Sequence, residues 1–195
     1  GPWQNYSEVD SDLNYKEALE SCKKSFEQDI ANDFQFIHID PSIDIKQNLS
    51  KKIILERVFE LYEYCMNTAN ELGKTIFIEI GTEEQIEGFN EPSEVEENLN
   101  NVIKFCDQNR YALPTFYVVQ NGSKVKETEN TGHFQNLDFK NFIDDVNLQK
   151  IKTTNDICLK LGILPKAHNS DYLSSKSASF YPRLNMKGGN IAPEF

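Results

Sequence analysis

His38 and Asp40 lie two residues apart in the run FQFIHIDPS, residues 34 to 42. Alternate residues of an extended strand share a face, so an imidazole and a carboxylate would stand side by side, able to orient a hydroxyl or exchange a proton. The plainer reading gives Asp40, directly before Pro41 and Ser42, the task of capping a turn through local backbone bonds, and makes His38 structural. Two other runs end in a similar way. TIFIEIGTE, residues 75 to 83, delivers Glu83 as a candidate base or a solvated loop charge. LPKAHNSDY, residues 164 to 172, delivers His168, Asn169, Ser170 and Asp171, a cluster suited to polyol hydroxyls and proton transfer or to an ordinary Asx turn. A fourth run, PTFYVVQNG, ends on Gln120. Glu79 interrupts the apolar residues around it and must be paired, protonated or facing water, because an unpaired buried carboxylate is costly.

The chain's histidines are His38, His133 and His168. Three imidazoles brought together would suit zinc or another divalent metal, although their spacing forms no local motif. Lys187 with Gly188 and Gly189 is either a plain turn or a place where backbone amides and an ammonium hold phosphate. Cys22, Cys65, Cys106 and Cys158 form no C-x-x-C pair and read as buried thiols. No G-x-G-x-x-G or Walker A loop follows a strand, so no nucleotide cofactor is expected.

The elements that would position these groups alternate between helix and strand. Residues 15 to 31 set Ala18, Leu19, Cys22, Phe26 and Ile30 on one helical face. Strand 34 to 40 follows. A helix then runs from an N-cap at Ser50 to Leu72, with Ile53, Ile54, Val58, Leu61, Cys65 and Ala69 inward and Gly73 as its stop. Strand 75 to 81 precedes a helix over 93 to 108, opened by a capping box of Ser93 and Glu96. Strand 114 to 120 leads into a long polar loop. Helices at 138 to 147 and 153 to 161, a strand at 164 to 168, a short helix within 171 to 180 and a last strand at 183 to 187 complete the reading. Near-continuous apolar strands separated by helices imply a parallel sheet covered on both faces. The expected fold is one α/β domain over residues 1 to 195, either a partial (β/α)8 barrel of about five βα units or a flavodoxin-like open sheet.

A content of 38% hydrophobic and 26% charged residues is that of a globular chain, and the net charge of −11 argues against a nucleic-acid partner. No apolar run approaches the roughly 20 residues that span a bilayer. The N-terminal residues have neither a basic nor an apolar signal region. A cytoplasmic protein without a membrane partner is expected.

Taken in order, Gly1-Pro2 with Trp3-Gln4, His38-Ile39-Asp40-Pro41-Ser42, Ile80-Gly81-Thr82-Glu83, Val118-Val119-Gln120 with Gly122, and Ala167-His168-Asn169-Ser170-Asp171-Tyr172 resemble the class II tagatose-bisphosphate aldolase accessory subunit family. The resemblance implies an aldolase-like (β/α)8 barrel, of which this chain would be an internal portion starting just after the second strand. It also implies that Asp40, Glu83, His168 and Asp171 are catalytic mouth residues. His38, Gln120, Asn169, Ser170 and Lys187 would contact substrate, although the Gly-Gly-Asn beside Lys187 departs from the family's pattern. His133, His168 and an upstream histidine would hold the metal. The implied substrate is a ketose phosphate, handled by aldolase- or isomerase-like chemistry. Members of the family are often called non-catalytic, so the alternative is a subunit that stabilises a catalytic aldolase. Self-association into a homo-oligomer and a carbohydrate-synthesis activity are further expectations.

Overall fold

The computed structural model describes residues 1–82, 88–126, 129–132, 134 and 144–191. By packing, the chain divides into two compact units, one of residues 1–84 with 105–115 and one of residues 85–104 with 116–195.

The first unit opens with a short helix, α1 (Tyr6–Asp10), capped by the Asn5 side chain. Helix α2 (Tyr15–Ala31) begins at a reciprocal capping box between Asn14 and Glu17 and buries the expected stripe, Ala18, Leu19, Cys22, Phe26 and Ile30. It packs on α3 (Lys51–Glu71), where Ser50 accepts a hydrogen bond from the Ile53 amide. The buried face of α3 is Arg57, Val58, Leu61, Tyr62, Cys65, Thr68 and Ala69. Ile53 is exposed and Ile54 half-buried, so the apolar stripe starts one turn later than expected. Arg57 can be buried because Asp44 is its partner, with Nη2 2.7 Å from Oδ2. Strands β1 (Phe36–Ile39) and β2 (Phe77–Ile80) are parallel, with Phe36 opposite Phe77 and His38 opposite Glu79. Ile37, Ile39, Ile78 and Ile80 fill the core beneath the helices.

Helix α4 (Pro92–Asn109) carries the chain between the units. Its first residue is Pro92, whose missing N–H is no loss there. Ser93 therefore lies inside the helix, and the expected Ser93–Glu96 capping box is replaced by the Glu91 carbonyl accepting from the amides of Glu94 and Val95.

In the second unit β3 (Phe116–Val119) pairs in parallel with β6 (Leu164–Ala167), which pairs in parallel with β7 (Gly188–Gly189). The polar stretch after β3 forms an antiparallel hairpin, β4 (Ser123–Lys126) and β5 (Glu129–Gly132). Helix α5 (Val146–Lys160) starts earlier than expected, capped by Asp145, and buries Leu148, Ile151 and Cys158. The helix expected over 138 to 147 falls largely outside the described residues. A short helix, α6 (Ser175–Ala178), lies within the expected span. The strand expected at 183 to 187 is not formed. Pro182 starts a 3-10 turn (Tyr181–Leu184), Asn185 closes it in the left-handed region with φ 58°, and pairing begins at Gly188. The architecture is mixed α/β, with parallel strands joined through helices. Among the described residues no helix is long and apolar enough to cross a membrane.

Candidate functional site

Both units end their parallel strands in polar side chains. In the first, β1 delivers His38 and then Asp40, while β2 sets Glu79 beside His38 in register. Glu79 is only 3% exposed. Its Oε1 lies 3.3 Å from His38 Nδ1, within ion-pair distance, so the carboxylate that looked out of place in an apolar strand is paired with the neighbouring strand's imidazole. Asp40 adopts the turn-capping role, with Oδ1 accepting from the Ser42 amide at 3.0 Å. That bond holds the carboxylate so that its other oxygen turns toward Gly81. A Cβ at Gly81 would stand 2.7 Å from Asp40 Oδ2 and 3.0 Å from His38 Nε2. The two groups expected to share a face therefore both border one glycine. Thr82 is buried next to it, and Glu83 lies outside the described residues.

In the second unit Gln120 follows β3 and His168 follows β6. The Gln120 amide nitrogen donates to Asn90 Oδ1 at 2.6 Å, and its side-chain Nε2 lies 2.8 Å from His168 Nδ1. His168, Asn169 and Ser170 are buried, while Asp171 is half-buried. Asn169 takes the left-handed conformation with φ 54°, which its short amide tolerates, and its Nδ2 donates to the Ser123 carbonyl at 3.1 Å. Ser170 Oγ is 2.8 Å from the Tyr181 hydroxyl, which also accepts from Asn121 Nδ2 at 3.4 Å. Burial raises the Tyr181 phenol above its ordinary 10.0, outweighing those two bonds, so it stays protonated. A Cβ at Gly189 on β7 would stand 2.6 Å from Ser170 Oγ, so a side chain there would displace the Ser170–Tyr181 contact.

Lys187 stands at the entrance of β7, not at its end: it is exposed, and its amide donates to the Pro165 carbonyl at 3.0 Å. This corrects the expectation of a strand ending on Lys187, because the 3-10 turn before it shifts the strand two residues on. His133 lies outside the described residues. Among the described residues no three His, Cys, Asp or Glu side chains are grouped to hold a metal. His168 has one ring nitrogen committed to Gln120. Of the residues expected to hold a metal, His168 alone lies among the described ones.

The supporting residues Asn90, Asn130, Ser123 and Tyr181 were not legible as site residues. They are polar residues in loops and a hairpin, with no spacing to single them out. Glu79 did carry a signal, a charge inside an apolar strand, but its partner depended on strand register.

No protein-family model and no curated protein matches the chain. Among solved structures it is similar to a probable tagatose 6 phosphate kinase from Sinorhizobium meliloti 1021, at 14% identity over 92% of this chain and 43% of that one, with a TM-score of 0.68. It is also similar to the glycerol-complexed fructuronate-tagaturonate epimerase UxaE from Cohnella laeviribosi, at 9% identity over 92% of this chain and 42% of that one, with a TM-score of 0.54. At these identities the likeness establishes fold, and the chain spans less than half the length of either structure.

Proposed function

We propose that the chain belongs to a sugar-metabolism protein that moves a proton on a ketose phosphate, with isomerase- or aldolase-like chemistry at the C-terminal ends of parallel strands. The observation that carries this reading is the buried Glu79 against His38 Nδ1, with Asp40 Oδ2 and His38 Nε2 both bordering Gly81. A histidine backed by a carboxylate is suited to taking a proton from carbon beside a carbonyl and returning it, which isomerises or epimerises the sugar through an enediolate. The names of the similar structures, a tagatose phosphate kinase and a tagaturonate epimerase, agree with a keto sugar as substrate. The fold part of the proposal is a partial (β/α)8 barrel, with the flavodoxin-like open sheet as the other arrangement of the same elements. The aldolase-like version adds a divalent metal such as zinc, for which His133 and His168 are the candidate ligands; the proton-transfer reading needs neither.

The test is solvent exchange. Full-length protein incubated with ketose phosphates in deuterated water should place deuterium on carbon beside the carbonyl, and His38→Ala or Asp40→Asn should abolish it. No exchange with any ketose phosphate would overturn the reading. The order of the HIDPS, IGTE, VVQ and AHNSDY segments favours a second reading, a subunit that stabilises a catalytic aldolase. That reading predicts co-purification with an aldolase whose activity survives both substitutions.

A further inference from the structure

Gly1 to Gln4 form a turn in which the Gly1 carbonyl accepts from the Gln4 amide at 3.4 Å. Pro2 takes the second place, which its fixed φ suits. Trp3 takes the third with φ 58°, a conformation for which such turns favour glycine. A bulky residue keeps a left-handed backbone only where its surroundings over-determine it, and strain of this kind gathers at functional sites. Trp3 is held at three points. Its amide donates to Oε2 of the buried Glu8 at 2.7 Å, its indole Nε1 donates to the Leu13 carbonyl at 3.2 Å, and its ring centre lies 6.0 Å from that of Tyr15. The Leu13 amide in turn donates to the Glu8 carbonyl at 3.3 Å, which ties two of these anchors together. The residues on either side of Trp3 meet the end of β1. A Cβ at Gly1 would stand 2.1 Å from the Asp40 carbonyl oxygen and 2.9 Å from Pro41 Cα, and Gln4 Nε2 reaches that same carbonyl at 3.5 Å.

We infer that Glu8 and Trp3 are positioning residues for Asp40. Seated by Glu8, Trp3 sets Gly1 and Gln4 against the peptide that joins Asp40 to Pro41, while the Ser42 amide holds Oδ1 from the following turn. Peptide and carboxylate are fixed together, and Oδ2 keeps its place beside Gly81. Glu8 works through Trp3, and every residue of the chain of contacts belongs to the first unit. The left-handed Trp3 is thereby explained: an extended third residue would carry Gly1 and Gln4 away from one another, and they could not both reach the Asp40 carbonyl. The inference rests on the proton-transfer reading for the work that Asp40 does, but not for how Asp40 is held.

Carbon-13 spectra of full-length protein labelled at its aspartate carboxyls, with the Asp40 signal assigned by its loss in Asp40→Asn, report the carboxylate directly. Deuterium exchange into a ketose phosphate reports its work. Glu8→Leu removes the acceptor of the Trp3 amide. It should shift the Asp40 signal and lower kcat for exchange on the order of 10²-fold, with KM held within about twofold because neither residue touches substrate. Glu8→Gln keeps an acceptor oxygen on the same side chain and should restore both. Gly1→Ala leaves the Trp3 seat in place and forces Gly1 off the Asp40 carbonyl, so it should reproduce both effects; it carries the test alone where Glu8→Leu does not fold. An Asp40 signal unmoved in Gly1→Ala, or a folded Glu8→Gln that behaves as Glu8→Leu does, would overturn the assignment. An Asp40 signal that moves as expected in a protein showing no exchange would instead count against the proton-transfer reading alone.

Discussion

Asn130 in β5 holds Asn169 at the end of β6: its Nδ2 donates to the Asn169 carbonyl at 2.6 Å. Its Oδ1 accepts from the Tyr172 amide at 2.5 Å, so one side chain brackets the turn that carries Ser170 and Asp171. Asn130→Ala leaves both backbone groups without this partner, and an unsatisfied buried polar group costs about 1–3 kcal/mol. Denaturant unfolding should show a loss of that size, and hydrogen exchange at Tyr172 should accelerate. Asn130→Asp keeps the acceptor and loses the donor, so it should preserve Tyr172 protection while still destabilising.

Arg57 and Asp44 form the buried ion pair of the first unit, their side chains 7% and 1% exposed, with the guanidinium 4.0 Å over the Tyr15 ring. Burial pushes the Asp44 carboxyl up, but hydrogen bonds from Arg57, the Lys46 amide and Gln47 outweigh it and hold the group below its ordinary 3.8. A carboxylate with a depressed native value stabilises the fold fully above its unfolded value and loses that contribution as pH falls through the native one. Stability should therefore be flat in this contribution above about pH 4 and fall below it. Asp44→Asn should flatten that acid limb and cost about 3–5 kcal/mol at neutral pH, the range for breaking one side of a buried pair. An unchanged acid limb in thermal melts of the variant would show that Asp44 is not its source.

Local patterns were legible in the sequence, and non-local pairings were not. The stripe of α2 from Ala18 to Ile30 follows from helical spacing, and the start of α3 from Ser50, because both depend on neighbours within one or two turns. The polar ends of β1, β3 and β6 were visible as breaks in apolar runs. The contact between His38 and Glu79 was not, because it depends on the register of strands whose paired residues are 41 apart in sequence. The same holds for Arg57, which interrupts an apolar face and is tolerated only because Asp44 arrives from a loop. The strand expected at 183 to 187 failed for a local reason: Pro182 and the left-handed Asn185 favour a turn over extension.

The cysteines offer a check on core packing. Cys22, Cys65, Cys106 and Cys158 are all unpaired and buried, each on the inner face of a helix. Burial raises each thiol, that of Cys158 to about 12, so the reactive thiolate is scarce at ordinary pH. A disulfide reagent at pH 8 should modify none of the four in native protein within the time it takes to modify all four in guanidinium. Fast labelling of any one under native conditions would place it in a locally opening helix.

Gly81 separates fold from chemistry most cleanly. Its φ lies outside the left-handed region, so alanine can take its backbone conformation. The new methyl would meet Asp40 Oδ2 and His38 Nε2 at contact distances too short to keep. These are side-chain ends that can swing away, and the cost in stability should stay within about 1 kcal/mol. Displacing reacting groups by about an ångström costs on the order of 10²-fold in rate. Gly81→Ala should therefore melt close to the unsubstituted protein, yet lose most deuterium exchange into a ketose phosphate. Equal exchange rates at equal melting temperature would mean that neither His38 nor Asp40 touches the reacting carbon. The search for the base would then move to the His168 turn.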